Sequence, residues 1–107
     1  MLTEKGTLPV GVEFDGKTHR DFEIREQLVR DMVEVYDDPE LSARAEKNDA
    51  FMGLCLMARQ VRIGTIPQEA ITPELLLGMH QADMSAINKA EKVLVARRAS
   101  FRGGEAE

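Results

Sequence analysis

Only one cysteine occurs in the 107 residues, so no disulfide can close within the chain. Cys55 sits inside an apolar run with no cation beside it in sequence to lower its pKa. It is expected to pack as a small hydrophobe in a reducing compartment. Positive charge is also short: 14 Lys and Arg stand against 19 Asp and Glu, a net charge of −5. The one basic cluster is Arg97-Arg98 with Arg102. Phosphate-backbone binding is therefore disfavoured, and no nucleic-acid partner is expected. No apolar stretch reaches the ~20 residues that span a bilayer, so no membrane association is expected. Residues 1–6 carry Glu4 but no apolar segment of the kind that directs secretion, which makes a cytoplasmic location the expectation.

Reactive constellations are equally scarce. His19 and His80 lie far apart, with no cysteine partner at metal-ligand spacing and no His-Glu-x-x-His pattern, and both read as surface or turn histidines. His80 and Asp83 are three residues apart, but an aspartate at a helix start is explained by capping. There is no Gly-x-Ser-x-Gly, no Gly-rich phosphate loop, and no base near Ser42, Ser85 or Ser100. Asp37-Asp38 and the pair Asp31 and Glu34 read as a solvated helix end. No catalytic residue, metal or cofactor is expected.

What the sequence does have is an apolar run from Ala50 to Ala58 interrupted only by Gly53. Its Leu, Met and Ala content favours helix over strand, and a helix over Asp49–Ile63 would be about 22 Å long. Asn48 or Asp49 would cap its start and Gly64 would close its end as a left-handed residue. Phe51, Leu54, Cys55 and Ala58 are the expected deepest positions of a single modest domain.

Upstream, residues 1–7 are polar and read as loosely ordered. Leu8, Val10, Val12 and Phe14 then alternate as a half-buried strand, turned by Asp15-Gly16 into a second strand that ends near Ile24. A two-residue turn would set Val12 opposite His19 and put Phe22 and Ile24 on the wrong face. The expected register is therefore that of a three-residue turn, with Val12 opposite Thr18, Val10 opposite Arg20 and Leu8 opposite Phe22. Over Arg25–Asp37, Leu28, Met32, Val35 and Tyr36 recur at helical spacing, widened by Val29 and Val33. Asp38-Pro39 ends that helix and can start another, running either separately to a break near Lys47–Asp49 or as the exposed beginning of the central helix. Thr72-Pro73-Glu74 opens a short helix through Leu75, Leu76, Leu77 and Met79. Asp83 is the expected cap of a last helix from Met84 to about Ala99, with Met84, Ile87, Ala90 and Val93 or Leu94 inside. The expected fold is α+β, mainly α: one domain over 8–101, with a hairpin at 8–24, four or five helices over 25–100, and a flexible tail at 102–107.

Met52, Met57, Met79 and Met84, with Leu75–Leu77, read first as ordinary core, and alternatively as an adaptable apolar set of the sort that repacks around a foreign helix. Together, Gly16 leading to Phe22, Ile24, Arg25 and Glu26, the segment Leu54–Arg59, Ile63-Gly64 followed by Ile71-Thr72-Pro73-Glu74-Leu75, and Asp83 resemble the tail assembly chaperones of Mu-like and related contractile-tailed phages and prophages. The resemblance runs from about Val10 to Val95. It implies a small cytoplasmic, non-enzymatic protein of a bacterial host cell that keeps an apolar, helical tape-measure protein soluble until the tail tube polymerises, often with a second product made by frameshifting. The residues expected to hold that partner are Leu75, Leu76, Leu77, Met79 and Met84, since one short helix does not need so many apolar groups for its own inner stripe. Homo-oligomerisation is expected from the free hairpin edge, unless Lys17, His19 and Arg20 guard it. A structural tail or baseplate subunit shares the hairpin, and a small transcription regulator would use Lys89, Lys92, Arg97 and Arg98 on the last helix.

Overall fold

Asp15 and Gly16 both adopt left-handed backbone angles, φ 54° and 75°, and join β1 (Thr3–Phe14) to β2 (Lys17–Arg25) as a two-residue hairpin turn. The computed structural model describes residues 1–101; the tail expected at 102–107 lies outside the described residues. β1 begins at Thr3 rather than Leu8, so most of residues 1–7 are strand. The three-residue turn is also corrected. Phe14 pairs with Lys17 and Val12 with His19, and beyond a bulge Thr7 pairs with Asp21 and Gly6 with Phe22. Four residues of β1, Leu8–Gly11, therefore stand against Arg20 alone. An odd excess reverses which face the following residues present, and this is how Phe22 and Ile24 reach the core despite the tight turn.

The bulge is closed from both sides. Arg20 on β2 donates from Nε to the Leu8 carbonyl at 3.0 Å and from Nη2 to the Pro9 carbonyl at 2.9 Å. The Val10 and Gly11 N–H groups donate to Oδ1 and Oδ2 of Asp83 at 2.8 and 2.9 Å. Pro9 has no N–H to lose where the ladder breaks, and Gly11 supplies the φ of +104° that the kink requires.

Five helices follow: α1 (Val29–Asp37), α2 (Pro39–Ala45), α3 (Asp49–Gln60), α4 (Pro73–Leu77) and α5 (Gln81–Ala99). α1 starts at Val29 rather than Arg25 because the Asp31 carboxylate accepts the Leu28 N–H at 2.8 Å and fixes the first turn. Asp38 caps α2 with Pro39 at its first position, and Asn48 caps α3 by accepting from the Phe51 N–H, so the break near Lys47–Asp49 separates two helices. α3 is shorter than expected. Val61–Ile63 leaves the helix as β3 and pairs antiparallel with β2, Ile24 opposite Val61 and Phe22 opposite Ile63. The Gln68 side chain stands in for the missing helical partners, donating to the Ala58 and Val61 carbonyls at 2.9 and 3.2 Å. Gly64, expected to close α3, closes β3 instead. Its φ of +52° lets the His19 ring lie where a Cβ would stand 2.3 Å from Nδ1.

The sheet order is β1-β2-β3, with α5 packed along β1 and β2. Leu8, Val12, Phe22, Ile24, Ile63, Ile87 and Leu94 anchor the main core between them. A second cluster, Val35, Ala45, Phe51 and Cys55, joins α1, α2 and α3, with the Arg44 guanidinium 3.9 Å above the Phe51 ring. Phe51, Cys55 and Ala58 are buried as expected, but Leu54 is partly exposed and Met57 is the deeper residue. On α5, Ile87, Ala90 and Leu94 face inward, Met84 is partly buried and Val93 is exposed. The fold is α+β, mainly α, and no helix among the described residues is long and apolar enough to cross a membrane.

Candidate partner-binding surface

Thr72 positions α4 by accepting the Leu75 N–H on Oγ1 at 3.2 Å, with Pro73 at the first helical position. The five residues expected to hold a partner separate on this scaffold. Leu76 is only 2% exposed and belongs to the main core, which corrects its assignment to a binding surface. Leu75, Met79 and Met84 are partly buried against that core, and Leu77 is 51% exposed. Leu75 and Met79 come together in the wall of a groove of about 400 Å³ whose other side is Gly11, Val12 and Glu13 of the bulged strand. Glu74 and Gly78 complete it. Leu77 projects to solvent from the same short helix, whereas Met84 does not line the groove. Alternation along β1 alone gives the bulge residues no such role. Pro9 and Gly11, two poor strand residues a step apart, were the available signal.

The groove depends on Asp83. Expected as the cap of α5, it is its third residue; the cap is His80, whose Nδ1 accepts the Ala82 N–H at 3.0 Å. Asp83 is fully buried, and the helix N-terminus together with the two bulge N–H groups offset the cost of that buried carboxylate. It thereby ties the start of α5, just after α4, to the strand forming the opposite wall. The rim carries two carboxylates, Glu13 and Glu74, and Glu74 is ion-paired to Arg44 at 2.7 Å in an exposed setting.

A separate polar cluster clamps α1. The Arg25 guanidinium forks onto both oxygens of buried Asp31 at 2.9 and 2.8 Å and also donates to the Arg59 carbonyl. Arg59 reaches Asp31 and pairs with Glu34. The fork from Arg25 outweighs burial and holds the Asp31 carboxyl down at about 2. Asp31 and Glu34 thus belong to an ion-pair network rather than a solvated helix end. Arg98 does the same to Glu26, with help from the Leu2 N–H, holding that carboxyl at about 2. Arg97 bonds the Thr3 carbonyl and Glu4, so two of the α5 cations considered for nucleic acid fasten the first strand instead.

His19, expected at the surface, is 9% exposed. Thr65 N–H donates to its Nδ1 at 3.4 Å, which leaves Nε2 as the protonated nitrogen, 3.3 Å from the Phe14 carbonyl. Cys55 is buried beside a second cavity of about 570 Å³ between α1, α3 and the start of α4, and burial pushes its thiol pKa up. No protein family, curated protein or solved structure matches the chain.

Proposed function

We propose that the protein is a tail assembly chaperone that holds an apolar helical segment of a tape-measure protein in the groove between the β1 bulge and α4. The observation that carries this reading is the groove itself: Leu75 of α4 and Met79 just beyond its end line one wall, the bulged strand with the largely buried Val12 lines the other, and Leu77 extends apolar surface outward from α4. A groove with two apolar side chains on one wall and carboxylates at its rim suits the spaced apolar positions of an amphipathic helix. The resemblance of the segments around Phe22–Glu26, Leu54–Arg59 and Ile71–Leu75 to the chaperone family suggests the partner's class. Burying a few such side chains at ~1.5–3 kcal/mol each leaves enough, after ordering costs, for a reversible complex. The rim carboxylates of Glu13 and Glu74 are exposed charges worth under ~1 kcal/mol each, so salt has little effect on the complex.

Co-expression with the largest helical open reading frame encoded just downstream tests the reading. The partner is expected to become soluble and to co-purify at raised salt, and Leu77→Asp and Met79→Gln are expected to release it while the domain stays folded. Leu76→Asp is not a surface variant: it places a charge in the core and is expected to unfold the chain. A partner equally soluble alone contradicts the chaperone role, and a structural tail subunit would instead polymerise without any partner.

A further inference from the structure

α1 is anchored by two inward residues, Asp31 and Val35, and turns its other apolar face away from the molecule. Val29 is 85% exposed, Met32 44%, Val33 52% and Tyr36 51%, at positions i, i+3, i+4 and i+7, which form one continuous stripe over two turns. No residue of this stripe lines the α4 groove. Along its solvent side run Arg30 near the start of the helix and Asp37 at its end, seven residues apart and so on the same flank. Both are exposed, and neither makes an ion pair among the described residues.

We propose that this face docks a second copy of the chain, α1 against α1 in antiparallel orientation about a two-fold axis between Met32 and Val33. Antiparallel two-fold packing sets Met32 against Val33 of the partner subunit and Val29 against Tyr36 of the partner subunit. It keeps the two charged flanks on the same side and reverses their direction, so Arg30 at one end meets Asp37 of the partner subunit, and the contact occurs twice. A parallel pair would place the two flanks on opposite sides and leave all four charges unmatched. The stripe is thus self-complementary in both apolar pattern and charge, which an isologous interface requires. Four apolar side chains per copy fall short of the ~800 Å² per partner of a standard interface, so the dimer forms with a Kd on the order of 10–100 µM. This site differs from the hairpin edge expected from sequence, part of which β3 covers.

Sedimentation velocity from roughly 5 to 500 µM tests the proposal, with circular dichroism of each variant to confirm folding. The wild type is expected to pass from monomer to dimer, and Val33→Glu, at an exposed position, is expected to raise the Kd at least about tenfold. Arg30→Asp and Asp37→Arg are each expected to weaken the dimer about threefold to tenfold. The double variant exchanges the two charges and is expected to restore the wild-type Kd to within about twofold. Each swap places an acid near the helix start or a base near its end, where the helix dipole favours it, so weakening cannot be assigned to loss of α1. A strict monomer across the range, a dimer indifferent to Val33→Glu, or a double variant no tighter than the single ones would each overturn the proposal. Co-purification of the apolar helical client with Val33→Glu reports on the α4 groove separately.

Discussion

Asp83 decides the shape of the N-terminal strand from the far end of the chain. Its two oxygens take the two N–H groups that the bulge removes from the ladder, and Arg20 takes the two carbonyls. Hydrogen bonds to a buried charge contribute ~1.5–3 kcal/mol each, so Asp83→Ala should cost about 3–5 kcal/mol and lower the melting temperature by roughly 15 °C or more. Asp83→Asn, which keeps one acceptor, should fall between. A calorimetric shift of under ~3 °C for the alanine variant would show that the bulge holds itself. This residue was legible in sequence only as a helix-start aspartate, because its partners lie more than 70 positions away. The same applies to His19, whose burial follows from Gly64 leaving room beneath its ring. Pro9 and Gly11 were readable, since proline and glycine inside an alternating run mark a broken ladder. Counting the turn alone, without the bulge, forced the wrong register.

At the scale of elements, local signals served where a helix begins with its own cap. Asp38-Pro39, Asn48 and Thr72-Pro73 all start helices in the structure. They failed where the boundary is set by other means: by Asp31 from inside α1, held in place by Arg25 and Arg59, and by Gln68 from beyond the end of α3. Val61-Arg-Ile63 carried a strand signal in its β-branched residues, but three residues are too few to outweigh a preceding helical run. The inward face of α1 was not legible for a related reason: the helix has more apolar residues than its core contact uses, and periodicity cannot say which face turns inward. The ion pairs holding α1 and β1 make a pH prediction. Asp31 and Glu26 sit at about 2 in the folded protein, below the unfolded values near 3.9 and 4.3. Their stabilisation is therefore complete only above about pH 5.5 and is lost as pH falls through the interval down to about 2. The urea midpoint should drop steeply between about pH 5 and pH 2.5, less so in Arg25→Ala, whose Asp31 keeps only the Leu28 N–H and Arg59. A wild-type midpoint at pH 3 equal to that at pH 6 would contradict this assignment.

For the molecule as a whole, the α+β class, the single Cys55 in the core and the inward line Ile87, Ala90 and Leu94 followed directly from residue patterns. The division of apolar surface did not. Leu75–Leu77 reads as one apolar block, yet the structure puts Leu76 inside, Leu77 outside and Leu75 at a groove wall. The groove's other wall comes from a bulge that no short-range pattern specifies. The central claim is that this groove, built from the Asp83-pinned bulge and α4, takes an apolar helix. Amide chemical shifts recorded while titrating a synthetic amphipathic helix taken from the partner test it most directly. Shifts are expected to concentrate at Gly11, Val12, Glu13, Leu75, Gly78 and Met79, with saturation little changed by salt and lost in Leu77→Asp. Shifts that spare those residues and cluster elsewhere, or no saturable shift at all, would contradict it.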